Sequence, residues 1–130
     1  MKMESLTPNI MVKDVNATLN YYTSILDFKI VDTNPETGVF EWGYVQSGNV
    51  GFMFQEEKSL KAEYPEFQNI NPGGALTFYI RVNHITQLYN NIKDKTTVIK
   101  PMNTTFYGTY EFAIKDLNGH ILTFSETPSV

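Results

Sequence analysis

Cysteine is absent from this 130-residue chain. That excludes a disulfide framework, a cysteine zinc site and a thiol nucleophile. Basic charge is scarce: 10 Lys and Arg stand against 14 Asp and Glu, giving a net charge of -4. A nucleic-acid-binding protein normally carries a basic stripe, so no nucleic-acid partner is expected. No apolar run approaches the roughly 18 residues of a membrane span, and MKMESLTPNIMV lacks the apolar core of a signal peptide. The expectation is a cytoplasmic protein with no membrane contact. Histidine is also sparse, with His84 and His120 expected at opposite ends of different elements and exposed to solvent. No Ser-His-Asp set, phosphate loop or dinucleotide fingerprint is present.

Aromatic residues, by contrast, are abundant at 14%: nine Phe, eight Tyr and one Trp. They could fill a core, or line a pocket for a flat ligand. The length suits a single domain, residues 1–130, able to build a core without covalent staples.

Periodicity divides the chain. Leu6 to Val12 alternates as a strand, with Pro8 near its start. Asp14 then caps an amphipathic helix carrying Val15, Leu19, Tyr22, Ile25 and Leu26 at three- and four-residue spacing. Three strands follow: Phe28 to Asp32, Val39 to Gln46 and Val50 to Gln55. Residues 57–73 hold Pro65, Pro72 and Gly73 and read as a connector, although Lys58 to Glu63 could form one helical turn. The pattern then restarts: a strand from Ala75 to Val82, a helix capped by Asn83, a strand from Thr96 to Lys100, and a hairpin turning at Asp116-Leu117-Asn118-Gly119.

The restart is a repeat. A constant offset of 70 carries Leu6, Thr7, Ile10 and Val12 onto Leu76, Thr77, Ile80 and Val82; it carries Phe40 and Trp42 onto Tyr110 and Phe112, and Phe54 and Glu56 onto Phe124 and Glu126. The chain therefore reads as a duplicated βαβββ unit, with a first module over 1–56, a connector over 57–73 and a second module over 74–130. The fold class is α+β.

Strand alternation assigns two faces. Ile10, Val12, Phe52, Phe54, Leu76, Phe78, Ile80, Leu122 and Phe124 make an apolar face for the helices. Asn9, Met11, Met53, Gln55, Thr77, Tyr79, Arg81 and Thr123 make a mixed face, either solvated or lining a cavity. Pairing Lys115 with His120 across the turn would set Phe112 opposite Thr123, putting Phe112 and, by the repeat, Trp42 on the mixed face. Aromatics there favour the cavity.

Two stretches carry a family resemblance. Pro8-Asn9-Ile10-Met11-Val12-Lys13-Asp14-Val15, with Tyr21-Tyr22 and Leu26-Asp27-Phe28, is similar to a V-x-D, F-Y, L-G-F pattern. Phe106-Tyr107-Gly108, then Glu111-Phe112 and Asp116-Leu117-Asn118-Gly119, is similar to W-G, R-E-F and D-P-x-G elements. Together they resemble the vicinal oxygen chelate superfamily (glyoxalase / bleomycin resistance protein / dioxygenase), in its bleomycin-resistance-like branch. Asp27 replaces the usual Gly and Leu117 the usual Pro. The resemblance implies two modules curling their sheets around a shared ligand cavity, often completed in a homodimer. It also implies that the four metal-ligand positions of the family's enzymes correspond to Thr7, Met53, Thr77 and Thr123. Threonine hydroxyls and a thioether are poor ligands for the cations that such sites hold, so no metal and no cofactor is expected.

The expected function is metal-independent binding of a small molecule, such as a planar or cationic compound. Trp42, Phe40, Tyr107, Tyr110 and Phe112 are expected as walls, Arg81, Gln55 and Asn9 as polar contacts, and Thr7, Met53, Thr77 and Thr123 as lining. For Arg81, a salt bridge to Glu56 or Glu126 is the competing role. Glu41 and Glu111 fall on the face opposite Trp42 and Phe112, an awkward place for charge. The alternative function is a lyase, isomerase or dioxygenase of the superfamily with an unconventional or absent metal site.

Overall fold

The computed structural model describes residues 1–129. They form two compact units, Met1–Gly73 and Gly74 onward, each an open four-stranded mixed sheet with helices. The α+β duplication expected from the repeat is present.

The first unit contains β1 (Asn9–Val12), α1 (Val15–Ser24), β2 (Lys29–Asn34), β3 (Trp42–Ser47), β4 (Val50–Glu56) and α2 (Glu57–Glu63), then one 3-10 turn at Pro65–Phe67. Its sheet order is β1-β4-β3-β2, with β1 parallel to β4 and the rest antiparallel. Asp14 caps α1 as expected, its carboxylate accepting from the Ala17 N–H at 2.9 Å. The buried stripe of α1 (Val15, Leu19, Tyr22) packs on β3 and β4. Tyr22 is the hub, with Phe54, Phe28 and Phe52 rings 4.9, 5.6 and 5.7 Å away. Gly43 admits this close packing: a Cβ there would lie 2.7 Å from Leu19.

The second unit contains β5 (Thr77–Arg81), α3 (Ile85–Ile92), β6 (Thr97–Thr104), β7 (Tyr110–Lys115) and β8 (Ile121–Glu126), in sheet order β5-β8-β7-β6. Ile80, Ile85, Ile92, Phe112, Ile114, Leu122 and Phe124 form its core. Register shifts in β2 and β6 mark bulges that bend the outer strand of each sheet.

Three local expectations need correction. Residues 57–73 are not a plain connector but begin with α2, which follows β4 without a break; Glu56 caps it by accepting from the Ser59 N–H at 3.0 Å, and Glu57 pairs with Lys61 at 2.7 Å. The cap of α3 is not Asn83. His84 occupies that position at φ +55 without a side-chain bond, and Glu126 reaches across from β8 to accept from the His84 and Ile85 N–H groups at 2.9 and 3.1 Å. His120 is not exposed but 4% accessible, under the hairpin turn, with Nδ1 3.6 Å from the Asp116 carboxylate and its ring beside Phe78.

The hairpin register also departs from the gapless repeat. Lys115 pairs with Ile121, not His120, so Phe112 faces Phe124 and Ala113 faces Thr123. The cause is turn length. The first hairpin closes Ser47 on Val50 through Gly48-Asn49, with Gly48 at φ +56 in the first central position. The second closes Asp116 on His120 through Leu117-Asn118-Gly119, a turn bonded from Gly119 N–H to Asp116 C=O at 3.0 Å, with Gly119 at φ +87. One extra residue shifts the incoming arm by one, and in a strand a shift of one exchanges the faces. Phe112, offset mate of Trp42, therefore lies in the core against Tyr89 and Phe124, at ring distances of 4.9 and 5.1 Å. Glu111 takes the mixed-face place that Trp42 holds in the first unit, the two standing opposite Ser125 and Gln55 respectively.

Candidate functional site

In the first unit, Met11, Gln55, Trp42 and Asn34 stand in one row across the sheet, and Asn9, Met53 and Tyr44 in the next. Because α2 turns back immediately after β4, its Ser59 and Glu63 face this row. The result is a cavity of about 320 Å³ lined by Asn9, Asn34, Glu41, Trp42, Gln55, Ser59 and Glu63. Gln55 is its fixed centre at 8% accessibility. Its Oε1 accepts from Asn9 Nδ2 at 2.8 Å, and its Nε2 donates to Ser59 Oγ at 3.0 Å and Glu63 Oε1 at 3.1 Å. The Trp42 ring lies 6.5 Å from Tyr44. The lining thus combines one indole, two carboxylates, a hydroxyl and three amides, without a basic side chain. Such a wall favours a flat ligand bearing positive charge or hydrogen-bond donors.

In the second unit the same face is built around Glu111, 7% accessible. Its Oε2 accepts from Tyr79 Oη (2.7 Å), Tyr107 Oη (2.9 Å), Thr109 Oγ1 (2.9 Å) and Ser125 Oγ (3.1 Å), and its Oε1 from Tyr107 Oη (2.9 Å). Burial pushes the Glu111 carboxyl up, but the hydroxyls of Tyr79, Tyr107, Thr109 and Ser125 together outweigh it and hold the group below the usual carboxylate range. The Tyr107 phenol is raised, first because its proton is held by Glu111 and then by burial and the neighbouring negative charge. Tyr79 Oη lies 2.8 Å from Ser125 Oγ, the counterpart of the Asn9–Gln55 bond in the first unit.

Of the expected site residues, Asn9, Gln55 and Trp42 meet in one cavity. Met53 shares their face, half-buried beside Asn9 and Tyr44. Thr7 lies just ahead of β1, half-buried and outside the cavity lining. Phe40 does not line the cavity; its N–H donates to Asn16 Oδ1 of α1 at 2.8 Å. Phe112 is removed to the core, and Tyr110, two residues earlier on the same strand, shares that side and is 42% accessible. Tyr107 joins the Glu111 cluster, while Thr77, Thr123 and Arg81 share the sheet face with it. Arg81 is exposed and makes no ion pair among the described residues; Glu56 and Glu126, its alternative partners, are engaged as helix caps. Glu111, Tyr79, Ser125, Glu41, Ser59 and Glu63 were not expected at either site. Glu111 was legible as an anomaly, a charge assigned to an apolar side by a register one residue out; Glu41 escapes that side because it lies just ahead of β3.

The implied metal positions do not fit an ion of the usual kind. In the first unit they offer a hydroxyl and a thioether, in the second two hydroxyls, and the nearby Glu111 has its Oε2 already taken by four donors. No group of three or more His, Cys, Asp or Glu is arranged to hold a metal among the described residues.

A family model for the Glyoxalase/Bleomycin resistance protein/Dioxygenase superfamily matches residues 5–124, and the chain belongs to that superfamily. No curated protein sequence matches it. Among solved structures, it is similar to a hypothetical protein of S. aureus at 25% identity and TM-score 0.74, covering 97% of this chain and 95% of that one. A protein of unknown function from Agrobacterium tumefaciens aligns at 18% identity and TM-score 0.79, covering 98% and 97%. A glyoxalase/bleomycin resistance protein/dioxygenase family enzyme from Burkholderia phytofirmans aligns at 16% identity and TM-score 0.77, covering 94% and 97%. The latter two likenesses show the shared fold. No helix is long and apolar enough to cross a membrane among the described residues.

Proposed function

We propose that this chain binds a small planar compound carrying positive charge or several hydrogen-bond donors, without a metal ion, in the cavity of the first unit. The observation that carries the reading is the lining itself: Trp42 beside Glu41, Glu63 and the buried Gln55, with no cation among them. The indole supplies a stacking surface, the carboxylates the counter-charge, and Gln55, held by three bonds, a fixed reference for donors and acceptors. Metal independence rests on the hydroxyl and thioether chemistry at Thr7, Met53, Thr77 and Thr123. Within the superfamily, this is the binding and sequestering role of bleomycin-resistance-like proteins, exercised in the cytoplasm as a homodimer and without nucleic-acid or membrane partners; the acidic balance of the chain supports the last point.

Trp42 is the one tryptophan, so its fluorescence reports on the cavity alone. Titration with the cationic dye proflavine is expected to quench it saturably and to raise the melting temperature; a ligand at 100 times its Kd contributes about 2.7 kcal/mol. The anionic dye 1-anilinonaphthalene-8-sulfonate should not compete. Binding that survives Trp42→Ala, or that favours the anionic dye, sinks the assignment. A stoichiometric divalent ion in protein purified without added metal, lost on replacing Met53 or Thr123, sinks metal independence.

A further inference from the structure

The face of the second unit contains two charges that the first unit's cavity does not explain. Glu111 Oε2 accepts from the Tyr79, Thr109 and Ser125 hydroxyls and shares the single Tyr107 proton with Oε1, which receives no other donor among the described residues. A carboxylate oxygen accepts about two hydrogen bonds, so Oε1 retains room for one more donor. Arg81 stands in the same row across the sheet: Arg81 pairs with Ser125, and Ser125 with Glu111. Two strand spacings, about 10 Å, separate the two backbones. The guanidinium is exposed and unpaired among the described residues. Arg81 and Glu111 form no ion pair among the described residues, and the Tyr79 hydroxyl is bonded to Glu111 and lies against Ser125, the residue between them in the row. The Tyr79 side chain starts on β5 and its hydroxyl ends on Glu111 of β7, so the ring crosses β8. Tyr79 is 51% accessible and Tyr107 is 54% accessible. Each phenol donates its proton to a carboxylate, which makes the ring more electron-rich and a better surface for a cation.

We propose that this face is a second binding site, for a small zwitterion with an apolar or aromatic group, of the aromatic α-amino acid kind. The ligand's ammonium donates to Glu111 Oε1, its carboxylate meets the Arg81 guanidinium, and its apolar part covers the Tyr79 and Tyr107 rings. A pure cation would gain Glu111 but be opposed by Arg81, and a pure anion the reverse. This site is independent of the Trp42 cavity and stands or falls separately.

The test is an amide-shift titration of the isotope-labelled protein with phenylalanine, phenethylammonium and hydrocinnamate. Phenylalanine is expected to give saturable shifts at Tyr79, Arg81, Glu111 and Ser125, with each singly charged analogue at least about tenfold weaker. Glu111→Gln should remove the advantage over hydrocinnamate, and Arg81→Gln the advantage over phenethylammonium. Glutamine keeps the cluster bonded, since the surrounding hydroxyls can accept as well as donate. If that variant nevertheless unfolds, Arg81→Gln, at an exposed position, decides the matter alone. Absence of saturable shifts at these four residues up to ~20 mM phenylalanine, or equal affinity for the three compounds, overturns the proposal.

Discussion

The two units are copies of one βαβββ plan whose open faces have diverged to opposite chemistries. At the position opposite β4 or β8, the first unit places Trp42 beside Gln55 and the second places Glu111 beside Ser125. The neighbouring position on the parallel strand is Asn9 in one and Tyr79 in the other, and each bonds to its β4 or β8 partner. The geometry of the linkage is kept while the groups are exchanged. In the first unit a buried amide, Gln55, is central with the Trp42 ring and the carboxylates of Glu41 and Glu63 around it; in the second the carboxylate of Glu111 is central and the Tyr79 and Tyr107 hydroxyls bond to it. A one-residue difference in turn length accompanies this exchange and decides which residues of the incoming strand reach the open face.

The strongest way to break the comparison is to truncate the two offset mates. Phe112→Ala, at 1% accessibility between Phe124 and Tyr89, should cost about 3–5 kcal/mol in urea unfolding. Trp42→Ala, half-exposed, should cost far less and act on binding instead. Similar costs for the two would restore the gapless repeat and remove the register shift.

Glu111→Ala is expected next, at roughly 2–3 kcal/mol, because four hydroxyls lose a charged acceptor. Its pH signature has a definite sign. The folded carboxyl lies below its ordinary value, so its contribution is complete above the unfolded pKa of about 4.3 and fades as pH falls through the folded pKa. The gap in stability between wild type and Glu111→Gln should therefore be widest above about pH 5 and shrink in acid. A gap independent of pH would show that Glu111 is not held ionised by its hydroxyl shell.

Gly43→Val should destabilise the first unit by about 1–3 kcal/mol, since even a Cβ meets Leu19 at 2.7 Å. The effect should be relieved by Leu19→Ala in the same chain; without that rescue, the close approach of α1 to β3 is not its cause. The smallest expected effects are at the matched caps. Glu56→Ala and Glu126→Ala should each cost about 0.5–2 kcal/mol, measured by thermal unfolding. Glu126 should be the larger, because it serves two N–H groups and Glu56 one.

The strand and helix periodicities, the Asp14 cap and the 70-residue offset were all readable, because they depend on local alternation and on nearest-neighbour capping. Asn9, Gln55 and Trp42, which alternation put on one face, line one cavity. Glu56 and Glu126 were recognised as mates, but their role as caps needs the start of a helix to be brought to the end of a strand. The second helix of the first unit was obscured by the prolines and glycines that follow it, although Glu56, Glu57 and Lys61 carried its signals.

The sequence alone thus determined the duplicated architecture, which follows from residue type and spacing, while the resemblance of its motifs pointed to the family and implied Thr7, Met53, Thr77 and Thr123 as the metal positions. Tertiary structure decided which side of the sheet each residue of the β3 and β7 arms faces. A strand has a period of two, so a single residue more in a turn reverses every assignment along it. Composition and periodicity are unchanged by such a shift. Only the paired backbone records that Phe112 belongs to the core and Glu111 to the open face.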